Sequence, residues 1–171
     1  MSMMDFVTPA LDRIDAYKLG HKKMYPEGTT LVYNNFTPRS EKLSPILPHM
    51  RKHEVVVIGV QRFVKLLKEL WGTTFFSKHC NEVVGEWEEM IQPLAGAAKY
   101  DAGHIKALHK LDYLPLEIKA IREGTSVPFG IPVITIKNTH PDFAWLPGFM
   151  EDFVSAELWK PMTTATIAKA Y

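Results

Sequence analysis

The chain has 171 residues and a mass of 19.5 kDa, enough for one domain whose core needs no disulfide or metal. Hydrophobic residues make up 46% and charged residues 23%, which excludes a disordered or collagen-like chain. With 20 Lys and Arg against 19 Asp and Glu, the formal charge is +1, so no basic excess points to nucleic acid.

In chain order, Leu11, Ile14, Tyr17 and Leu19 sit near helical spacing within residues 8–25, with Asp12 and Asp15 in the early turns and Gly20 and Pro26 as terminators. Residues 29–37 (TTLVYNNFT) are rich in β-branched and aromatic side chains and read as a strand stopped by Pro38. Residues 40–49 carry Pro45 and Pro48 and read as a loop. Within 54–71, Val60, Phe63, Val64, Leu67 and Leu70 form a helical stripe, with Gly72 as the expected cap. A second helix is expected over 80–98, with Val83, Val84, Trp87, Met90 and Ile91 on one face and a kink or end at Pro93. Asp101 is placed to cap a third, carrying Ile105, Leu108 and Leu111. After Pro115 the period changes to two, giving strands near 115–122 and 131–137 that pair in a hairpin-like unit. Residues 143–159 read as helical, with Trp145, Phe149, Phe153 and Leu158 mostly buried. Pro161 to Thr164 offers a turn and N-cap, and the helix formers of 165–171 end without a closing Gly or Asn.

These elements describe an α+β fold with a mixed or antiparallel sheet and helices on one side. Cys80 is the single cysteine, which excludes an intrachain disulfide and fits a reducing compartment. The longest aliphatic run, Val55 to Val60, is interrupted by Gly59 and falls far short of the roughly 18–20 apolar residues of a membrane span. The opening MSMMDFVTPALDR has no basic region leading into an apolar one, so a cytoplasmic protein is expected.

Chemical motifs are few. No GxGxxG, Walker A, GxSxG or HExxH pattern is present. His49 and His53 are four apart but lack a third ligand nearby, and a solvated pair is the stronger reading. His104 and His109, five apart, face different directions. Cys80 has no signature of a nucleophile, and Glu86, Glu88 and Glu89 read as the wet side of a helix. Two features stand above this background. Asp15, Tyr17 and Lys18, followed by His21 and Tyr25, put an aromatic ring among ionisable groups: a stacking surface for a planar ligand, or an ordinary core tyrosine. Arg39, directly after the strand and Pro38, is either a phosphate contact or a surface arginine.

The same residues resemble a known family. The segment DAYKLGHKKMYPEGTTLVYNNFTPRS, from Asp15 to Ser40, is similar to the N-terminal signature of nicotinamide phosphoribosyltransferases, a D-S-Y-K-x-x-H-x-x-x-Y-P run leading into a strand that ends in a functional Arg. The likeness returns at VIGVQRFVKLL, at LPLEIKAIREGTSVPFG, at NTHPDFAWLPGFMED and at ELWKPMTTAT, in collinear order over nearly the whole chain. Ala16 replaces a common Ser and Arg122 a common Pro.

The resemblance implies the N-terminal domain of a type II phosphoribosyltransferase without its barrel, 1–160 forming the domain and 161–171 the start of the helix leading to that barrel. Family members transfer phosphoribose from phosphoribosyl pyrophosphate to nicotinamide in NAD salvage. It implies that Tyr17 stacks on the pyridine ring, that Asp15 lines the pocket, and that Arg39 contacts phosphate, all across a homodimer interface. Magnesium and ATP, used by the full-length family, are expected to have no ligands in this chain, and neither is any catalytic residue expected here. The alternatives are a nicotinate-using relative and a split or regulatory subunit that binds a separate barrel chain.

Overall fold

The computed structural model describes residues 8–42, 53–95 and 101–170. His49, most of the 40–49 loop and the end of the helix expected over 80–98 lie outside them.

The first departure is at the N-terminal end. The single helix expected over 8–25 is a series of short turns: 3-10 turns at Ala10–Asp12 and Ala16–Gly20, then helix α1, His21–Met24. Asp15 between them is extended, and its backbone N–H donates to Asp152 Oδ2 at 2.7 Å rather than to a preceding carbonyl. A helix cannot continue through a residue whose N–H is committed elsewhere. The tight turn at Pro26 to Thr29, with Gly28 at positive φ, delays strand β1 to Tyr33–Phe36, shorter than the 29–37 expected.

The aliphatic run 55–60 divides in two. Its first part is strand β2, Glu54–Val56, which the helical stripe had hidden; Gly59 at φ 94° then starts helix α2, Val60–Trp71. Phe63, Leu67, Leu70 and Trp71 are buried along one face of α2 as the spacing requires. Gly72 does not cap it. It keeps helical dihedrals and opens a wider π-type turn, Gly72–Phe76, where Thr73 and Thr74 hydroxyls donate to the Glu69 and Leu70 carbonyls. That turn sets Phe75 edge-on against Trp71, centroids 5.0 Å apart.

Helix α3, Cys80–Ala95, buries Val83, Val84, Trp87 and Ile91 and runs past Pro93 by two residues. Helix α4, Gly103–Leu111, has Ala102 rather than Asp101 at its N-cap, and no side chain caps it there; Asp101, one residue earlier, accepts from the Gly103 N–H through Oδ1 at 2.8 Å.

Strands β3, Leu116–Ala120, and β5, Ile134–Asn138, pair antiparallel with Ile118 opposite Ile136, and β1 joins the other side of β5 to give the order β1-β5-β3. The three segments named from sequence thus make one antiparallel sheet. They are no tight hairpin, because the intervening chain forms β4, Ser126–Pro128, which pairs with β2 in a second, two-stranded sheet. On β5, Ile134, Ile136 and Asn138 are buried in alternation. Asn138 is satisfied there by Val32 N–H and by the Thr30 and His140 carbonyls, at 2.8–2.9 Å.

After a 3-10 turn at Pro141–Phe143, helices α5, Leu146–Phe149, and α6, Glu151–Ala170, complete the fold. The turn expected at Pro161 to Thr164 is absent, since α6 passes straight through Pro161. The reason lies opposite: a Cβ on Gly59 would stand 2.8 Å from Pro161 Cγ, so the missing side chain makes room for the proline ring. Thr166, buried, donates to the Met162 carbonyl and accepts from the Val56 N–H at 2.9 Å, locking α6 to β2. Phe149 and Phe153 are buried as expected, while Trp159 is exposed, at 62%. No helix among the described residues is long and apolar enough to cross a membrane.

Candidate functional site

Beside β1 and the start of α6 lies a cavity of about 490 Å³ lined by Tyr33, Asn35, Thr37, Arg39, Pro147, Glu151 and Ser155, among others. The sheet positions its first wall. Val133 N–H donates to the Phe36 carbonyl and Gly130 N–H to the Pro38 carbonyl, at 2.9 and 2.8 Å, so the chain leaving β1 is held and exposed Arg39 stands at the cavity. Asn35 Oδ1 accepts from the Thr37 hydroxyl at 2.7 Å on the same wall.

The second wall is the first turn of α6. Glu151 and Asp152 open this helix, where negative charge is favoured by the exposed N–H groups. Both reach back to the N-terminal turns. Asp152 takes the Asp15 N–H, and Glu151 Oε2 accepts from Lys18 Nζ. Lys18 is buried, with only 3% of the residue exposed. Burial opposes its charge, but the hydrogen bond and charge of Glu151, with Asp152 and Tyr17 adding to them, hold its pKa above the usual lysine value. It stays an ammonium through neutral pH. Its nitrogen lies 5.0 Å over the Tyr17 ring, which is itself 57% exposed and 5.2 Å from the His21 ring.

Tyr25 closes the same corner. Its hydroxyl lies where a side chain on Gly148 would be, 2.7 Å from an ideal Cβ, so only glycine fits there. Burial raises the Tyr25 pKa above its ordinary value.

Of the three residues singled out from sequence, Arg39 lines the cavity, and exposed Tyr17 connects to it through Lys18 and Glu151. Asp15 is fastened by its backbone to the same helix start, its side chain exposed and not part of the cavity lining. Lys18, Glu151 and Asp152 escaped the sequence reading as members of one cluster. The available signal was the acidic pair opening a helix, but its partner lies 133 residues away.

A smaller gap on the other side of Lys18 is lined by Lys22, Trp87, His104 and Trp145. His104 Nδ1 lies 3.1 Å from the Asp101 carbonyl, and burial, reinforced by Lys22, depresses its pKa to about 4. The imidazole is therefore neutral at pH 7. Among the described residues, no group of three or more His, Cys, Asp or Glu could hold a metal ion. His53 pairs with Glu41 at 2.9 Å, and His109 contacts the Lys78 carbonyl.

No protein-family model matches the chain. Individual relatives do. The nicotinamide phosphoribosyltransferase of Acinetobacter baylyi is 44% identical over 169 residues, covering 98% of this chain and 33% of the relative. That of Mycoplasma genitalium is 27% identical over 186 residues, covering 98% of this chain and 39% of the relative. Among solved structures, human nicotinic acid phosphoribosyltransferase superposes with a TM-score of 0.58 at 16% identity, over 90% of this chain and 27% of that one, a likeness of fold. The chain thus spans about a third of the length of the curated relatives it matches. Over 98% of its own length it is homologous to nicotinamide phosphoribosyltransferases, and its fold matches part of human nicotinic acid phosphoribosyltransferase.

Proposed function

We propose that this chain is the N-terminal part of a nicotinamide phosphoribosyltransferase and supplies a ring platform and a cationic clamp to that reaction. In it, the bond from ribose C1 to pyrophosphate breaks with its electron pair leaving on pyrophosphate, and the pyridine nitrogen of nicotinamide forms the new bond to C1. The leaving group gains charge as the sugar becomes cationic, so a fixed guanidinium near its phosphates and a surface that holds the pyridine in line both lower the barrier. Arg39 is assigned to the phosphate, Tyr17 to the pyridine face, and Asp15 to the pocket entrance. In this reading the three groups complete the site of a second subunit in a homodimer. The remaining donor contacts, with any magnesium and ATP, belong to residues outside this chain.

The observation that supports this reading is a cavity lined by Arg39 and Glu151, with Glu151 bonded to Lys18 and Lys18 set against the exposed Tyr17 ring, in a chain homologous to nicotinamide phosphoribosyltransferases. Titration calorimetry with pyrophosphate tests the clamp. Arg39→Ala is expected to weaken binding about tenfold or more, as loss of a charge-assisted fork does, and equal binding by both proteins would remove Arg39 from the site. The chain alone is expected to form no nicotinamide mononucleotide from nicotinamide and phosphoribosyl pyrophosphate. Robust turnover would show that the reaction does not depend on further sequence.

A further inference from the structure

Lys18 is a lysine where lysines are seldom found. Its side chain is 1% exposed, while the carboxylate it meets on Glu151 is 58% exposed. Fastening the N-terminal turns to α6 does not call for so costly a burial. The Asp15 N–H already bonds Asp152 at 2.7 Å, and Tyr25 is already seated against Gly148. What Lys18 adds is contact with the ring beside it. Tyr17 sits in a 3-10 turn and is more than half exposed, and its other ring neighbour, His21, is tilted 58° to it at 5.2 Å rather than stacked on it. The ammonium 5.0 Å over the ring, itself held by Glu151, gives that plane a fixed neighbour on one face.

We propose that Lys18 is a positioning residue for Tyr17: pinned by Glu151, its ammonium covers one face of the ring and holds it so that a flat, uncharged heteroaromatic ligand stacks on the other. The inference rests on the reading of Tyr17 as a ligand platform. The Glu151 carboxylate then has two duties, as a wall of the Arg39 cavity and as the anchor that sets the tyrosine's orientation. Holding the ring before the ligand arrives spares the complex the entropy of ordering an exposed side chain.

Ring-labelled tyrosine NMR on the whole chain tests this, with Tyr17→Phe to assign the resonance. Tyr113, 52% exposed, is the internal reference for a ring without such a restraint. In the wild type, Tyr17 should show cross-peaks to the Lys18 side chain and a ring order above that of Tyr113. In Lys18→Met the order should fall to the Tyr113 level, and Lys18→Arg should restore it. An anchor with no positioning role would instead lower the unfolding midpoint of Lys18→Met and leave the Tyr17 ring as ordered as before; that result overturns the proposal. Should Lys18→Met fail to fold, Glu151→Gln decides, because a ring order unchanged from wild type is equally fatal. A nicotinamide titration separates the two claims. Binding about tenfold weaker to Lys18→Met than to wild type or Lys18→Arg is expected from losing an oriented stacking surface. A wild-type Tyr17 resonance blind to nicotinamide would sink the platform reading, while the ring order without ligand still judges Lys18.

Discussion

Around α2, α3 and the π-type turn, Trp71, Phe75 and Trp87 are sealed in the core. The 10–25 segment, by contrast, has short turns and one four-residue helix, buries little apolar surface beyond Ala10, Leu11 and Leu19, and is further tied down by polar and charged contacts. Its ties are Lys18 to Glu151, the Asp15 N–H to Asp152, and the Arg13 guanidinium 5.3 Å over the Phe153 ring. The contrast separates two ways of ordering a chain. Apolar burial neither titrates nor is screened as charges are, and scales with area. A polar tie fixes direction, which is what a ring or a guanidinium at a site needs, at the expense of sensitivity to protonation.

The largest blow to that contrast comes from the aromatic side. Trp71→Ala should cost about 3–5 kcal/mol of unfolding free energy, read as a lowered urea midpoint that stays the same from low to high salt. A clear salt dependence of the loss would blur the distinction between the two regions.

Next in size is a pH effect at the seam between them, where His104 stands beside Trp87, Trp145 and Lys22. Its pKa falls from 6.5 to about 4 on folding, so the unfolded chain takes up this proton first as the pH drops. Stability is then complete above about pH 6.5 and declines toward pH 4, by about 3 kcal/mol for this group alone. His104→Gln should flatten that part of the profile in urea titrations at pH 7 and pH 4.5. An unchanged slope would place the acid sensitivity elsewhere.

The smallest expected effect is local. Asp101→Ala removes the side chain that accepts from the Gly103 N–H and should raise amide exchange in the first turn of α4 only, with little change in the unfolding midpoint. Faster exchange in α2 as well would mean that the aromatic region depends on this contact.

Legibility in the sequence followed the same division. The stripe of α2, the buried face of α3 and the three strands of the larger sheet could be read because each is a local period enforced by burial. Strand β2 could not, because Val55 and Val57 belong to an apolar run broken only by Gly59 before it passes into a helix. Pro161 misled because the space for its ring is left by Gly59, about a hundred residues earlier in the chain, and nothing near it in sequence marks that. At the site, Tyr17 and Arg39 were visible as residue types in a motif. The Lys18–Glu151 contact was not, since a pair so far apart leaves no periodic trace.

One consequence of the Gly59–Pro161 fit concerns α6 as a rod. Its 20 residues extend about 30 Å. One end carries Glu151, and near the other Lys169 reaches Ser126 and Glu54 on the smaller sheet. Pro161, about 15 Å along from Glu151 at helical rise, faces Gly59 with no room for a side chain between them. The helix therefore bridges the β2–β4 ribbon, held through Thr166 and Lys169, and the cavity wall that Glu151 forms.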